Sequence, residues 1–516
     1  MKQVILICLS ALFLLFTFQL TAYQGELLQQ IPLQIPLSIS TLSNPPYFDA
    51  LRAAGILSII RTDRSGIPTG QSVDFDPMMK FGRVRGPLSF PFLIDPKLEF
   101  THPVDADFNN NSETAVIALD LGSTTYTSTA YIKDLGGFFR NHFSWSTDLT
   151  LFNIGEFPRP PEYNRSADPF LAENPFTDGQ NPKRMYCSGI LYNGFDQFFK
   201  PIMPDSVAVW YSDNGGQSWS SPPTIVARND DPNWFFDKPD VEVSWNAGAD
   251  RGYVYVTFVK VFQSPVSNSQ LVIRRSTDGG LTFPADSERL IVTGDVQAPQ
   301  VLIGPFGGTV YVIYLDYQNN QIKEARSTDY STWSFSTVAN VTPVDRTIRL
   351  NGSVRALTAP MARYNSVANK IDVVWHQLEP GSENRTDVWF NVKTALGWGT
   401  NPKCITCNGL APDPGDQFFP ALDFDRSGNL KIVWYDRRDD PNNLLYHQYV
   451  TATDSDGNLL QGKNQVSTFQ SNPQNRQLGD YQDMWFWTYG TIDRFISSWI
   501  GIPGNSQYVY DSSITP

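Results

Sequence analysis

The chain has 516 residues, of which 41% are hydrophobic and 13% aromatic, and its 34 Phe, 22 Tyr and 13 Trp exclude collagen-like, fibrous and intrinsically disordered classes. Its formal charge of -13 would repel a phosphate backbone over most of the surface, so nucleic acid is excluded as a partner, and anionic membranes are disfavoured for the same reason.

Residues 1–22 read as a secretory signal peptide, with Lys2, an apolar run from Val4 to Phe16 and a small residue, Ala22, at the exit. No later run is apolar enough to span a bilayer, so the mature protein is expected to be secreted, soluble and monomeric, with no membrane span after signal removal. Residues 23–112 are Pro-rich and irregular, with one short helical candidate at Tyr47 to Leu57, and read as an extension packed on the main body.

From residue 113 to 516 the pattern changes to short β-branched and aromatic runs between turns. Val207 to Tyr211, Tyr253 to Phe258, Val310 to Tyr314, Ile371 to Trp375 and Leu430 to Tyr435 are strand candidates. First strands placed near Ala115, Arg184, Val241, Val301, Val354, Ala421 and Met484 recur at a period of roughly 60 residues, which suits four-stranded propeller blades. An antiparallel sandwich also offers many short strands but demands no period. Phe195-Asp196-Gln197-Phe198-Phe199 is echoed by Asp416-Gln417-Phe418-Phe419, each Asp lying downstream of a cysteine, Cys187 or Cys407. The expected fold is an all-β propeller of six or seven blades.

Cys404 and Cys407 form a lone Cys-x-x-Cys in a Pro/Gly-rich loop, read as a local disulfide or two free thiols, and Cys187 is left over. Four scattered histidines give no zinc site or Ser-His-Asp hydrolase, and no phosphate loop or dinucleotide fingerprint occurs. Asp423 to Gly428 opens like a calcium loop, but Trp434 stands where the closing Glu belongs, so it reads as a hairpin turn. No metal or cofactor is implied.

Two segments share the pattern Ser-x-Asp-x-Gly-x-Thr-aromatic. One comprises Ser276, Asp278, Gly280 and Phe283; the other comprises Ser212, Asn214, Gly216 and Trp219. A degenerate third comprises Ser327, Asp329 and Trp333. The pattern describes a tight turn in which Asp or Asn bonds backbone N–H groups, glycine takes φ > 0 and the aromatic ring tucks beneath. These turns resemble the Asp boxes of the sialidase-like (BNR-repeat) β-propellers, and Val433 to Arg438 and Gly479-Asp480-Tyr481 resemble the secreted bacterial members. The resemblance covers about residues 113 to 512. In that superfamily Asp boxes lie on the outer edge of blades and serve as turns, away from the ligand.

The resemblance implies three arginines clamping a carboxylate, a tyrosine nucleophile and an aspartate acid/base. The expected Arg-Ile-Pro motif is missing; Phe157-Pro158-Arg159-Pro160 puts proline where the strand needs a donor. Arg355, Arg437 and Arg438 are then the nearest arginine candidates, Tyr481 the tyrosine to test, and Asp237 a candidate acid/base. Arg437 and Arg438 also stand beside Asp436, Asp439 and Asp440, which suits a surface ion-pair cluster. Acidic residues at inner-strand starts, Asp196, Asp237, Asp240, Asp416 and Asp480, could ring the central channel and bind a sugar or a cation, or each could cap its own turn.

The expected function is a glycan-directed secreted propeller, of exo-α-sialidase type if it is a glycoside hydrolase. The alternatives are a non-catalytic propeller for a protein or polysaccharide at the cell surface, and a lyase or a hydrolase of another sugar. Three arginines converging at one channel mouth would favour the sialidase reading.

Overall fold

The structure is a computed structural model that describes residues 98–516 apart from 106–109, 178–181, 198–199, 246–247, 264–267, 305–308, 328–332, 346–349, 353, 380–384, 409–410, 413, 475, 490–491 and 505. The signal peptide, the helical candidate at Tyr47 to Leu57 and most of the extension lie outside the described residues, as does Asp329.

Seven four-stranded antiparallel sheets follow one another along the chain. Their inner strands are Asn110–Asp120, Arg165–Asn174, Trp234–Val243, Val296–Ile303, Met361–Asn365, Gln417–Phe424 and Asp483–Tyr489, which define blades 1 to 7. The protein is a seven-bladed β-propeller. Blades 1 to 6 run from inner to outer strand in chain order, and a short fifth strand, Lys403–Cys404, pairs with the third strand of blade 5. Blade 7 is composite: its outermost strand is Leu98–Asp105, paired with the C-terminal strand Tyr508–Ile514, Leu98 opposite Ile514. This strand lies in the stretch read from sequence as extension. It carries Pro103, which cannot donate to a ladder and is tolerated at an edge.

Five of the seven first-strand positions placed from sequence fall on inner strands. Arg184 instead opens the second strand of blade 2, Arg184–Tyr192. Val354 lies in an isolated bridge with Leu350, ahead of the blade 5 inner strand. The inner strands of these two blades are Arg165–Asn174 and Met361–Asn365. The Phe195 and Asp416 segments are not equivalent either. Phe195 pairs with Pro201 in the loop between strands two and three of blade 2, whereas Asp416 immediately precedes the blade 6 inner strand.

The core lies between blades. Tyr186, Val207 and Val209 of blade 2 pack with Val241, Val256 and Phe258 of blade 3. Ala421, Val433 and Val450 of blade 6 pack with Met484 and Phe495 of blade 7, and Val116 and Ala118 of blade 1 meet Trp487 and Ile496 of blade 7. A strand covered on both faces needs no polar alternation, which is why Leu430–Asp436 is buried throughout and carries the apolar run Ile432 to Tyr435. Each buried Val, Ile or Leu contributes about 1.5–3 kcal/mol relative to exposure.

The Ser-x-Asp turns join third to fourth strands. Ser276 Oγ accepts from Gly280 N at 2.9 Å, while Asp278 Oδ1 accepts from Thr282 N at 2.9 Å. In blade 2, Ser212 Oγ accepts from Gly216 N at 2.9 Å, and Asn214 Oδ1 from Ser218 N at 3.0 Å. Phe283, Trp219 and, in the degenerate copy, Trp333 are buried beneath their turns, and Ser327 ends the third strand of blade 4. The cysteine pair forms a Cys404–Cys407 disulfide, and Cys187 is a buried free thiol.

Candidate functional site

A backbone device repeats around the axis. Glu113, Asp168, Lys238, Ala298 and Phe419 all have positive φ, between 47° and 52°, and each sits at a bulge in the inner strand of its blade. All but Glu113 precede a proline, Pro169, Pro239, Pro299 or Pro420. A non-glycine residue in this region costs of order 1–3 kcal/mol, and such strain concentrates at functional positions. Proline has no N–H to give to the ladder, so the strand loses its pairing there and bulges.

In blades 1 to 3 the bulged residue is charged, and Glu113, Asp168 and Lys238 line one pocket of about 360 Å³. Asp205, Asp237, Asp480 and Arg355 complete its charged lining. Lys238 Nζ lies 2.9 Å from Asp168 Oδ1, 2.8 Å from Asp480 Oδ2 and 3.4 Å from Glu113 Oε1, so one ammonium joins three blades. Arg355, 62% exposed in its side chain, reaches the same Asp480 Oδ2 at 3.0 Å. The other Asp480 oxygen, Oδ1, is buried and has no hydrogen-bond partner among the described residues.

Gly479 permits this junction. Its φ is +95°, and a Cβ there would stand 2.5 Å from Glu113 N, closer than any side chain tolerates.

The charges of the floor are unequal. Burial pushes the Glu113 carboxyl well above the ordinary range; Lys238 opposes this, and Asp168 and Asp480 add to it. Burial acts in the same sense on Asp168, but the Lys238 ammonium, hydrogen-bonded to it at 2.9 Å, outweighs it and holds Asp168 low. Glu113 is therefore the floor carboxyl that holds its proton more tightly than Asp168, and its Oε2 is buried with no hydrogen-bond partner among the described residues. Burial raises Asp237 to about 6, against the pull of Lys238. Burial also works to lower Lys238, yet Asp168, Asp480, Glu113 and Asp237 together keep it well above its usual value, fully charged.

Three sequence candidates thus line the pocket: Asp237, Asp480 and Arg355. The others are placed elsewhere. Tyr481 is buried, its hydroxyl donates to Pro169 O at 3.0 Å, and its ring stacks on Phe170 with centroids 4.3 Å apart. Arg437 is fully buried against Asp416 at 3.2 Å, and Arg438 pairs with Asp436 at 2.5 Å. Asp416 also accepts from Thr386 N of blade 5. Asp240 accepts from Val301 N at 2.7 Å and so fastens blade 3 to blade 4. Asp196 is exposed and accepts from Lys200 N at 2.9 Å within its own loop. The expected ring of strand-entry aspartates does not form, because Asp240 and Asp416 bridge neighbouring blades and Asp196 is not at a strand entry.

Three arginines do not converge: among the described lining residues Arg355 is the one arginine. Glu113, Asp168 and Lys238 were missed by sequence reasoning, although Asp168-Pro169 and Lys238-Pro239 carry the same residue-before-proline signal as Ala298-Pro299 and Phe419-Pro420. The cluster holds its own cation: the Lys238 ammonium stands among carboxylates of blades 1, 2 and 7. The group of possible metal ligands among the described residues lies elsewhere, at Asp387, Cys404 and Cys407, where the disulfide ties up both sulfurs.

No family model matches the chain, and no curated protein matches it. Solved structures do. The chain is similar to a protein of unknown function from Dyadobacter fermentans, at 10% identity over 82% of this chain and 100% of that one, with a TM-score of 0.43. It is similar to an α-L-arabinofuranosidase of Fusarium graminearum at 11% identity, covering 81% of this chain and 98% of that one, with a TM-score of 0.41. A Trypanosoma rangeli sialidase matches at 11% identity over 64% of this chain and 53% of the other, with a TM-score of 0.39.

Proposed function

We propose that the protein is a glycan-directed propeller that holds the terminal sugar of a neutral glycan in the pocket on blades 1 to 3 and hydrolyses its glycosidic bond. The support for this reading is one pocket whose carboxyls are driven apart: burial raises Glu113, the Lys238 ammonium holds Asp168 beside it low, and burial raises Asp237 to about 6. Carboxyls driven apart in this way supply a proton donor and a base at the same pH. Glu113 gives its proton to the leaving oxygen as the bond to the anomeric carbon breaks, and Asp237 takes a proton from the water whose oxygen bonds that carbon. The partnerless Asp480 Oδ1 supplies a buried acceptor for a sugar hydroxyl.

A neutral sugar fits better than the sialic acid implied by the Asp-box resemblance, since five carboxyls line the pocket against Lys238 and Arg355, and Arg355 is already paired with Asp480. Binding without turnover is the second reading; the contact of Glu113 Oε1 with Lys238 favours it, because a carboxyl held in an ion-pair network moves less readily toward a substrate. Export is part of the proposal, supported by the signal-like residues 1–22 and by a disulfide, a bond that persists in oxidising compartments.

The test is a panel of p-nitrophenyl glycosides, including arabinofuranoside, glucoside, galactoside and sialoside, assayed for release and for binding. Release by the wild type that falls about 100-fold or more in Glu113→Gln supports hydrolysis. Binding abolished by Asp480→Asn without any release leaves the binding reading, and neither binding nor release rejects both.

A further inference from the structure

The pocket is two-sided. Its charged floor comes from the inner-strand bulges, but its outer wall is apolar, built from Phe139, Tyr192, Phe195, Ile202 and Phe235. Phe195 and Ile202 are 47% and 45% exposed although both face the same cavity. Isolated exposed apolar side chains are ordinary; two converging on one concave site with three further rings are not.

The described residues around them are hydrogen-bonded to one another. Phe195 pairs with Pro201, Ile202 N donates to Gly194 O at 2.8 Å, and Asp196 N donates to Lys200 O at 2.8 Å. Phe195 meets Phe235 of blade 3 edge to face, with centroids 5.5 Å apart and planes at 89°. Such a perpendicular pair offers one ring face and one ring edge to a third ring, an arrangement aromatic quadrupoles favour over contact with a saturated group.

We infer that this wall is a subsite for an aromatic group carried by the ligand, so that the pocket takes an aryl-bearing glycoside with its sugar on the floor and its ring between Phe195, Phe235 and Phe139. The sugar half rests on the function proposed above; the aromatic half rests on the wall alone.

The two halves separate experimentally. Saturation-transfer NMR on the full chain with phenol, and with cyclohexanol as a saturated counterpart of similar size, reads the wall without any sugar. The expected result is stronger saturation of phenol than of cyclohexanol, with phenol affinity falling about threefold to tenfold in Phe195→Ala. Ile202→Ala is the second variant should Phe195→Ala fail to fold. Equal saturation of the two probes, no saturation, or a phenol signal unchanged in the variants overturns the inference. Phenol bound at the wall while every glycoside fails would reject the sugar reading and leave the subsite standing.

Discussion

Lys238 Nζ stands 2.8 Å from Asp480 Oδ2, tying the bulge of blade 3 to the residue that leads into blade 7 across the axis. Both side chains are almost fully buried, and the same ammonium serves Asp168 and Glu113. Replacing it by an apolar side chain strands buried carboxylates without a counter-charge. Lys238→Met is expected to lower unfolding free energy by about 3–5 kcal/mol, measured by urea denaturation at pH 7. A loss under about 1 kcal/mol would show that the network contributes little to the fold.

Stability should fall as pH rises through neutrality. Burial raises Asp240 to about 8, Glu242 to about 7, Asp372 to about 7 and Asp511 to about 7. In the unfolded chain these carboxyls lose their protons near 4. Between roughly pH 4 and 8 the folded state therefore binds more protons than the unfolded state, and unfolding free energy declines with pH. The Tm should be higher at pH 5 than at pH 8. Asp240→Asn keeps an acceptor for Val301 N while removing the ionisation, so it should narrow that difference; a flat Tm profile in the wild type would refute the account.

The Asp278 turn makes a separate, local contribution. Asp278 accepts from Thr282 N at 2.9 Å and Thr282 Oγ1 at 2.6 Å, and Ser276 Oγ donates to it at 2.6 Å. Asp278→Ala should cost about 1–2 kcal/mol in thermal or chemical unfolding and leave ligand binding untouched.

Tyr481→Phe discriminates a structural tyrosine from a nucleophile. Its hydroxyl donates to Pro169 O, and burial holds its pKa well above the ordinary value, with the nearby carboxylates adding to the rise. The expected outcome is a stability loss of about 1 kcal/mol with any glycoside turnover retained within about tenfold. Loss of turnover with unchanged Tm would return Tyr481 to the chemistry.

The propeller was legible because apolar runs such as Ile432 to Tyr435 advertise strands covered on both faces, and because Ser212 and Ser276 open turns with a recognisable pattern. Asp237 and Asp480 were found as acidic residues at strand entries, and Arg355 as an arginine candidate for the clamp that the resemblance implies. Glu113, Asp168 and Lys238 were not, because a bulge turns a strand residue toward the axis through its backbone conformation, and alternation alone assigns it to a blade face. Asp240 misled for the opposite reason: it lies two residues past Lys238, beyond the bulge, and bonds the next blade.

Because the strand Leu98–Asp105 is hydrogen-bonded to Tyr508–Ile514, the ribosome makes one half of the final seam some four hundred residues before the other. That early segment must wait, unpaired, until Tyr508–Ile514 has been made, so ring closure is the last step in assembling the blades. Chains lacking Tyr508–Ile514 would expose a bare sheet edge at the seam, the kind of edge that invites aggregation.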